Sequence, residues 1–228
     1  EDNREETDVI QAIRFFARFC SQEKEAVERL DKLLRGQLNF GDGGKAFARA
    51  FPYLWQQYPT TEVGAAARLY ADIQKLCFHS AHAAPLHADY FTGSISEIGL
   101  RIGQSPDYFG VIKVGEGKKL WDLIAAESEG EEGQRSLMAS EREFGESLFH
   151  NIREKGSKTR VLIGAKMFTE GWSCWRGSAM GLINVGRNEG SQIIQLFGRG
   201  VRLKGKGFGL KRSSALRDEQ HPDHLIEL

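Results

Sequence analysis

Apolar residues recur three and four positions apart over the first third of the chain. Val9, Ile10, Ile13, Phe16 and Ala17 form one such stripe, and Val27, Leu30, Leu33 and Leu34 form another after Ser21. That spacing places side chains on one face of a helix, so 1–76 is expected to be helical. The glycine-rich stretch NFGDGG at 39–44 interrupts it. A third helix is expected over 45–58, bent at Pro52, and a fourth over 61–76.

Shorter runs follow. Residues 86–91 and 95–102 read as strands around the turn Thr92-Gly93-Ser94, a hairpin beside the main sheet. The continuous apolar run YFGVIKVG at 108–115 is the type of strand that a parallel sheet buries on both faces. A helix is expected over 118–126, a polar linker over 128–133, and a helix over 141–155 with Phe144, Leu148, Phe149 and Ile152 inward. Residues 161–164 and 180–185 read as two more buried strands. Ser191 then caps a helix that runs to Leu203. Alternating strands and helices imply parallel pairing through helical crossovers. The expected organisation is a helical region over 1–78, a hairpin extension over 79–107, an α/β domain with a mainly parallel sheet over 108–212, and a tail over 213–228.

Composition adds limits. The 228 residues, 40% hydrophobic and 27% charged, are those of a soluble globular protein. The chain begins at Glu1 and reads as a segment of a longer protein; it holds no apolar run of membrane-spanning length. Cys20, Cys77 and Cys174 have neither zinc-site nor disulfide-framework spacing, which fits a reducing, cytoplasmic setting. His79, His82 and His87 lie close in HSAHAAPLH, but loop histidines outnumber metal ligands and no metal is assigned. Gly43-Gly44-Lys45 suggests a phosphate-binding loop, yet that motif needs Gly at 39 and a hydroxyl at 46, where Asn39 and Ala46 stand.

The net charge of zero conceals a division. Between His150 and Arg212 there are 13 Lys and Arg against 3 Glu and no Asp, a net of +10, so the remainder carries −10. A basic block of this kind suits phosphates or a nucleic-acid backbone; a solvated charged face is the alternative. The final helix concentrates the chemistry. At roughly 100° per residue, Gln195, Arg199 and Arg202 fall near 0°, 40° and −20° on the helical wheel. Ile193, Ile194, Phe197 and Val201 fall opposite, at about 160–260°. One face can bury itself while the other holds two planar, permanently charged donors suited to phosphate oxygens. An amphipathic helix with a solvated basic face is the competing reading.

Phe168-Thr169-Glu170-Gly171-Trp172-Ser173 follows the strand at 161–164, and Q-x-x-G-R-x-x-R begins at Gln195, 25 residues after Glu170. This pair resembles motifs V and VI of the superfamily 2 helicases. The closest resemblance is to the helicase (Res) subunit of type III restriction enzymes and related DEAD/DEAH-type defence helicases. It covers about 108–205, under half the chain, and implies the second RecA-like domain of an ATP-dependent helicase or translocase. ATP and Mg²⁺ would then be held mainly by a first RecA-like domain of the same protein. The resemblance makes Arg202 the arginine finger, puts Arg199 beside it on the γ-phosphate, and has Gln195 couple the two. Gly171, Glu170, Ser173 and Gly198 would border the nucleotide. Thr169, Trp172, Lys166 and Lys204 would contact nucleic acid, DNA rather than RNA. Partner subunits of a defence complex are a further implication.

Two departures weaken the match at motif V. Many relatives carry Thr-Asp where Ala165-Lys166 stands, and end the motif in Gly-x-Asp where Ser173 stands. A hydroxyl and two carboxylates are lost, though Ser173 still donates and accepts hydrogen bonds. Trp172 and Trp175 can stack on bases, with packing under the loop as the alternative. A non-catalytic nucleic-acid-binding or scaffolding module with the same fold is the competing function.

Overall fold

A computed structural model of the chain describes residues 2–38, 51–92, 96–129, 136–143, 146–164, 174, 176, 177 and 179–181. The chain divides into two compact units, Glu1–Ala165 and Lys166–Leu228, and every element below belongs to the first.

The first stripe forms α1 (Asp2–Ser21), which buries Val9, Ile10, Ile13, Ala17 and Cys20. The carbonyls of its last turn need outside donors. Cys20 O accepts from Tyr70 Oη (3.2 Å), Gln74 Nε2 (3.2 Å) and the Ala84 amide (3.1 Å). Only Gln22 separates α1 from α2 (Glu23–Leu34), whose first turn is acidic and whose last turn holds Lys32, as the helix dipole favours. Gly36, at φ +66°, closes α2 by turning the chain back onto the Leu33 and Lys32 carbonyls.

Of the third helix, expected over 45–58, only the part from Pro52 onward is described. In the described residues α3 spans Pro52–Gln57, with Pro52 in the first turn where its missing N–H is not needed; residues 39–50 lie outside the description. The fourth, α4 (Ala65–Cys77), begins after Gly64, which holds φ +84°. Its residues Ala66, Leu69 and Tyr70 pack with Ala26, Leu30 and Leu34 of α2 in a separate small core.

Five strands follow: β1 (Leu86–Phe91), β2 (Glu97–Ile102), β3 (Gly110–Lys113), β4 (Leu137–Arg142) and β5 (Val161–Gly164). Helix α5 (Gly117–Ser128) joins β3 to β4, and the short α6 (Leu148–Asn151) lies between β4 and β5. The sheet order is β4-β1-β2-β3-β5. β1 pairs with β4 in parallel and β3 with β5 in parallel, while β2 runs antiparallel to both its neighbours. Four strands therefore point one way, as in an α/β fold.

Two expectations are corrected. The hairpin is no appendage: β1 and β2 are the second and third strands of the five, and β2 hydrogen-bonds to β3. Of the helix expected over 141–155, the described residues form only Leu148–Asn151; residues 137–142 form β4 instead. Leu137, Met138, Ala139 and Glu141 are good helix formers, but the parallel ladder from Leu86–Leu137 to Phe91–Arg142 outweighs that local preference. The strand expected over 180–185 is not formed at Met180 and Gly181, and its remainder lies outside the described residues.

One face of the sheet presents Leu86, Ala88, Ile98, Leu100, Ile102 and Ile112 to Ile13 and Ala17 of α1 and to Leu120 and Ile124 of α5. No helix among the described residues is long and apolar enough to cross a membrane.

Candidate functional site

The eleven residues singled out by the motifs all lie outside the described residues: Lys166, Thr169, Glu170, Gly171, Trp172, Ser173, Gln195, Gly198, Arg199, Arg202 and Lys204. The structure does describe the strand that precedes the first of them in the sequence. β5 ends at Gly164, two positions before Lys166, and Gly164 pairs with Lys113 at the carboxyl end of β3. The carboxyl ends of β1, β3, β4 and β5 share one edge of the sheet, the edge at which open α/β sheets bind their ligands.

A buried charge pair sits at that edge. Glu97 opens β2 directly opposite Lys113, and its carboxylate is fully buried. Lys113 Nζ donates to Glu97 Oε1 at 2.9 Å, Ser147 Oγ donates to the same oxygen at 2.6 Å, and the Phe149 amide reaches Oε2 at 3.5 Å. Ser147 also caps α6 by accepting from the His150 amide at 3.1 Å. One serine thus ties α6 to the sheet edge beside the exit of β5.

A second carboxylate, Asp89, is fully buried on the same face nearer the middle of the sheet. Arg101 Nε donates to Oδ2 at 2.7 Å, Tyr108 Oη donates to it at 2.9 Å, and Arg142 Nε lies 3.1 Å away. Ser140 Oγ donates to Oδ1 at 2.5 Å. Arg101 is also held by the Gly103 carbonyl at 2.6 Å, with His87 Nδ1 3.2 Å from its other nitrogen. Gly99 makes the Tyr108 contact possible: a Cβ there would lie 2.6 Å from both the Phe91 and Tyr108 rings, which close over it edge to face.

These contacts set the charge states. Burial pushes the Asp89 carboxyl up, but hydrogen bonds from Arg101, Ser140 and Tyr108 and the Arg101 charge outweigh it and hold it below its ordinary value. Burial, aided by Asp89, pushes the Tyr108 hydroxyl up to about 12. Burial and the Arg101 charge push His87 down. Asp89 is therefore held as a carboxylate with both oxygens engaged, suited to holding arginines in place rather than to moving protons.

The three histidines do not form one cluster with a metal-binding set. His79 Nε2 bonds the Lys158 carbonyl at 2.7 Å, and His87 faces Arg101. Among the described residues no group of three or more His, Cys, Asp and Glu could hold a metal ion.

The motifs did not point to Asp89, Arg101, Glu97 or Lys113. Their signal was weak but present: a charged residue inside each strand-like run, with the hairpin turn bringing 89 and 101 to nearby rungs. No protein-family model, curated protein or solved structure matches this chain.

Proposed function

We propose that the chain is the second RecA-like half of an ATP-driven nucleic-acid helicase or translocase, acting on DNA in restriction or phage defence. The observation that carries the reading is the ordered pair F-x-E-G-W-S at 168–173 and Q-x-x-G-R-x-x-R at 195–202 within a block of charge +10. The four co-directional strands support it, as does β5 ending at the carboxyl edge four positions before the first motif begins in the sequence. The donor set also suits a polyphosphate: on a helix Gln195, Arg199 and Arg202 would share one stripe, and permanently charged planar donors match phosphate oxygens.

In this reading Arg202 stabilises charge developing on the transferred phosphoryl group, Arg199 orients it, and Gln195 links them. Gly171, Glu170, Ser173 and Gly198 border the nucleotide, and Gly171 allows the backbone to approach closely. Thr169, Trp172, Lys166 and Lys204 meet the nucleic acid. A first RecA-like domain supplies the phosphate-binding loop and the acidic Mg²⁺ ligands; ATP bound with Mg²⁺ supplies the phosphoryl chemistry. The setting is cytoplasmic.

The test is steady-state ATPase activity of the intact protein at saturating nucleic acid. Arg202→Ala should lower kcat by on the order of 10³–10⁵-fold with nucleotide affinity little changed, because a finger acts on transition-state charge. Arg202→Lys should fail too, since an ammonium lacks the planar fork. Near-normal kcat in a folded Arg202→Ala protein would sink the reading and leave a non-catalytic binding module.

A further inference from the structure

The helical region carries a surface that the motifs leave unused. A groove of about 240 Å³ runs between α1 and α2, bordered by Arg14, Phe15, Arg18, Phe19, Glu25 and Arg29. Arg14, Phe15 and Arg18 follow one another at helical spacing on the side of α1 that turns away from the sheet. Phe15 is 52% exposed, unusual for a phenylalanine whose neighbour Phe16 packs on the core.

The Phe15 ring is braced although it is exposed. It stacks on Phe19 with centroids 5.9 Å apart and planes at 27°, and meets Phe16 edge to face at 5.6 Å. Phe19 is held in turn by Tyr70 at 5.5 Å and Phe78 at 6.1 Å. A ring fixed before binding loses little side-chain freedom when a ligand stacks on it. Arg14 is also fixed, donating through Nε and Nη2 to the two oxygens of Glu127, both at 2.7 Å. Arg18 and Arg29 are exposed, and the Arg18 charge also acts on Glu127 from outside hydrogen-bonding contact. Three guanidiniums thus flank an open aromatic face; Glu127 neutralises Arg14, Glu25 is the opposing charge on the rim, and Arg18 and Arg29 remain for a ligand.

We propose that this groove binds a single strand of nucleic acid, with a base stacked on Phe15 and adjacent phosphates on Arg18 and Arg29. The inference rests on the nucleic-acid part of the function proposed above and adds a second contact, outside the helicase-like motifs. Single strands fit better than the alternatives. Their bases are free to stack, every base has a π-face, and guanidiniums beside an aromatic ring serve phosphate and base together. A duplex keeps its bases stacked inside. An acidic peptide would use the arginines but leave the ring open.

The experiment is fluorescence anisotropy of a labelled oligothymidylate of about 16 nucleotides, titrated with the 228-residue chain at several salt concentrations. The Arg18→Glu/Arg29→Glu double variant should weaken binding by about tenfold or more and flatten the salt dependence, because phosphate contacts release counterions. Phe15→Ala should weaken it by about fivefold or more at an unchanged salt slope, the mark of a lost stack rather than a lost charge. Phe15→Trp should restore binding, and circular dichroism should find every variant folded.

The proposal is overturned if the wild-type chain does not bind, or if the folded variants bind like wild type. It is equally overturned if duplex DNA of the same length shows the same loss on Phe15→Ala, or if polyglutamate competes as well as the oligonucleotide. No ATP enters this assay, so the two readings fail separately. Phe15-dependent binding alongside normal ATPase in Arg202→Ala would remove the helicase reading alone. Lost ATPase in Arg202→Ala with Phe15-independent binding would remove the groove alone.

Discussion

The two faces of the sheet are both buried, but by different physics. The face under α1 and α5 is closed by side chains that need only be apolar and of the right size: Leu86, Ala88, Ile98, Leu100 and Ile112 against Ile13 and Leu120. The opposite face buries Asp89, Glu97 and Arg101, groups that are tolerable out of water only with partners at hydrogen-bonding distance. Burial of the first kind is non-directional and accepts volume-conserving exchange. Burial of the second kind fixes geometry, because Asp89 joins β1, β2, β4 and the segment before β3 through Arg101, Arg142, Ser140 and Tyr108. The first face makes the sheet stable; the second specifies which strands adjoin.

The sharpest way to break this contrast is to unpair the charge. Asp89→Ala leaves Arg101 buried without its carboxylate and should cost about 3–5 kcal/mol. Replacing both partners, as in Asp89→Leu with Arg101→Met, should recover most of that, since two apolar groups strand no charge. Urea denaturation of the two variants decides the point, and a double variant as unstable as Asp89→Ala would refute it. On the apolar face Ile13→Ala should cost about 2–5 kcal/mol and Ile13→Val about 0.5–1.5 kcal/mol. That grading by volume has no counterpart at Asp89, where Asp89→Asn keeps the size and loses the charge that Arg101 requires.

The same contrast explains which parts of the chain were legible. Non-directional burial leaves a period in the sequence, so the stripe Val9, Ile10, Ile13 located α1. The runs at 86–91 and 161–164 located β1 and β5 with the bounds observed. Directional burial leaves no period. Ser140 belongs to β4 because parallel pairing sets it opposite Asp89, 51 positions earlier, and nothing local in LMASER favours a strand. Ser147 likewise falls inside the helix expected over 141–155, and both its cap on α6 and its bond to Glu97 are visible only in three dimensions. The proposed nucleotide and nucleic-acid residues were legible only as motifs, since residue types and spacings are what a motif preserves. Their geometry lies outside the described residues.

A smaller perturbation tests how tightly the polar face is packed. Gly99→Ala puts a methyl against the Phe91 and Tyr108 rings, which must separate or shift. Overpacking of this kind should cost about 1–3 kcal/mol. If the penalty arises from pushing Tyr108 off Asp89, then Gly99→Ala in a Tyr108→Phe background should cost less than in the wild type. Equal costs in the two backgrounds would assign the penalty to the rings alone.

The smallest expected effect is a pH dependence centred on His87. Burial and the Arg101 charge lower its pKa in the folded protein, with Arg142 adding to the fall and Asp89 opposing it. The folded state therefore holds this imidazole neutral at pH values where the unfolded chain, near its ordinary value of 6.5, already binds a proton. Stability must rise with pH wherever the unfolded state carries more protons. The His87 contribution is thus complete above about pH 6.5 and declines as pH falls from there toward the lower folded value. Asp89 behaves separately: its folded pKa is depressed, so its contribution disappears only at lower pH, through the range below ordinary carboxylates. His87→Gln cannot titrate and should flatten the change in urea midpoint between about pH 7 and pH 5 while leaving the acid limb below about pH 4 in place. Asp89→Asn should do the reverse. If His87→Gln instead loses midpoint over pH 7 to 5 as steeply as the wild type, the proton is taken up elsewhere and the Arg101 charge does not govern this edge of the polar face.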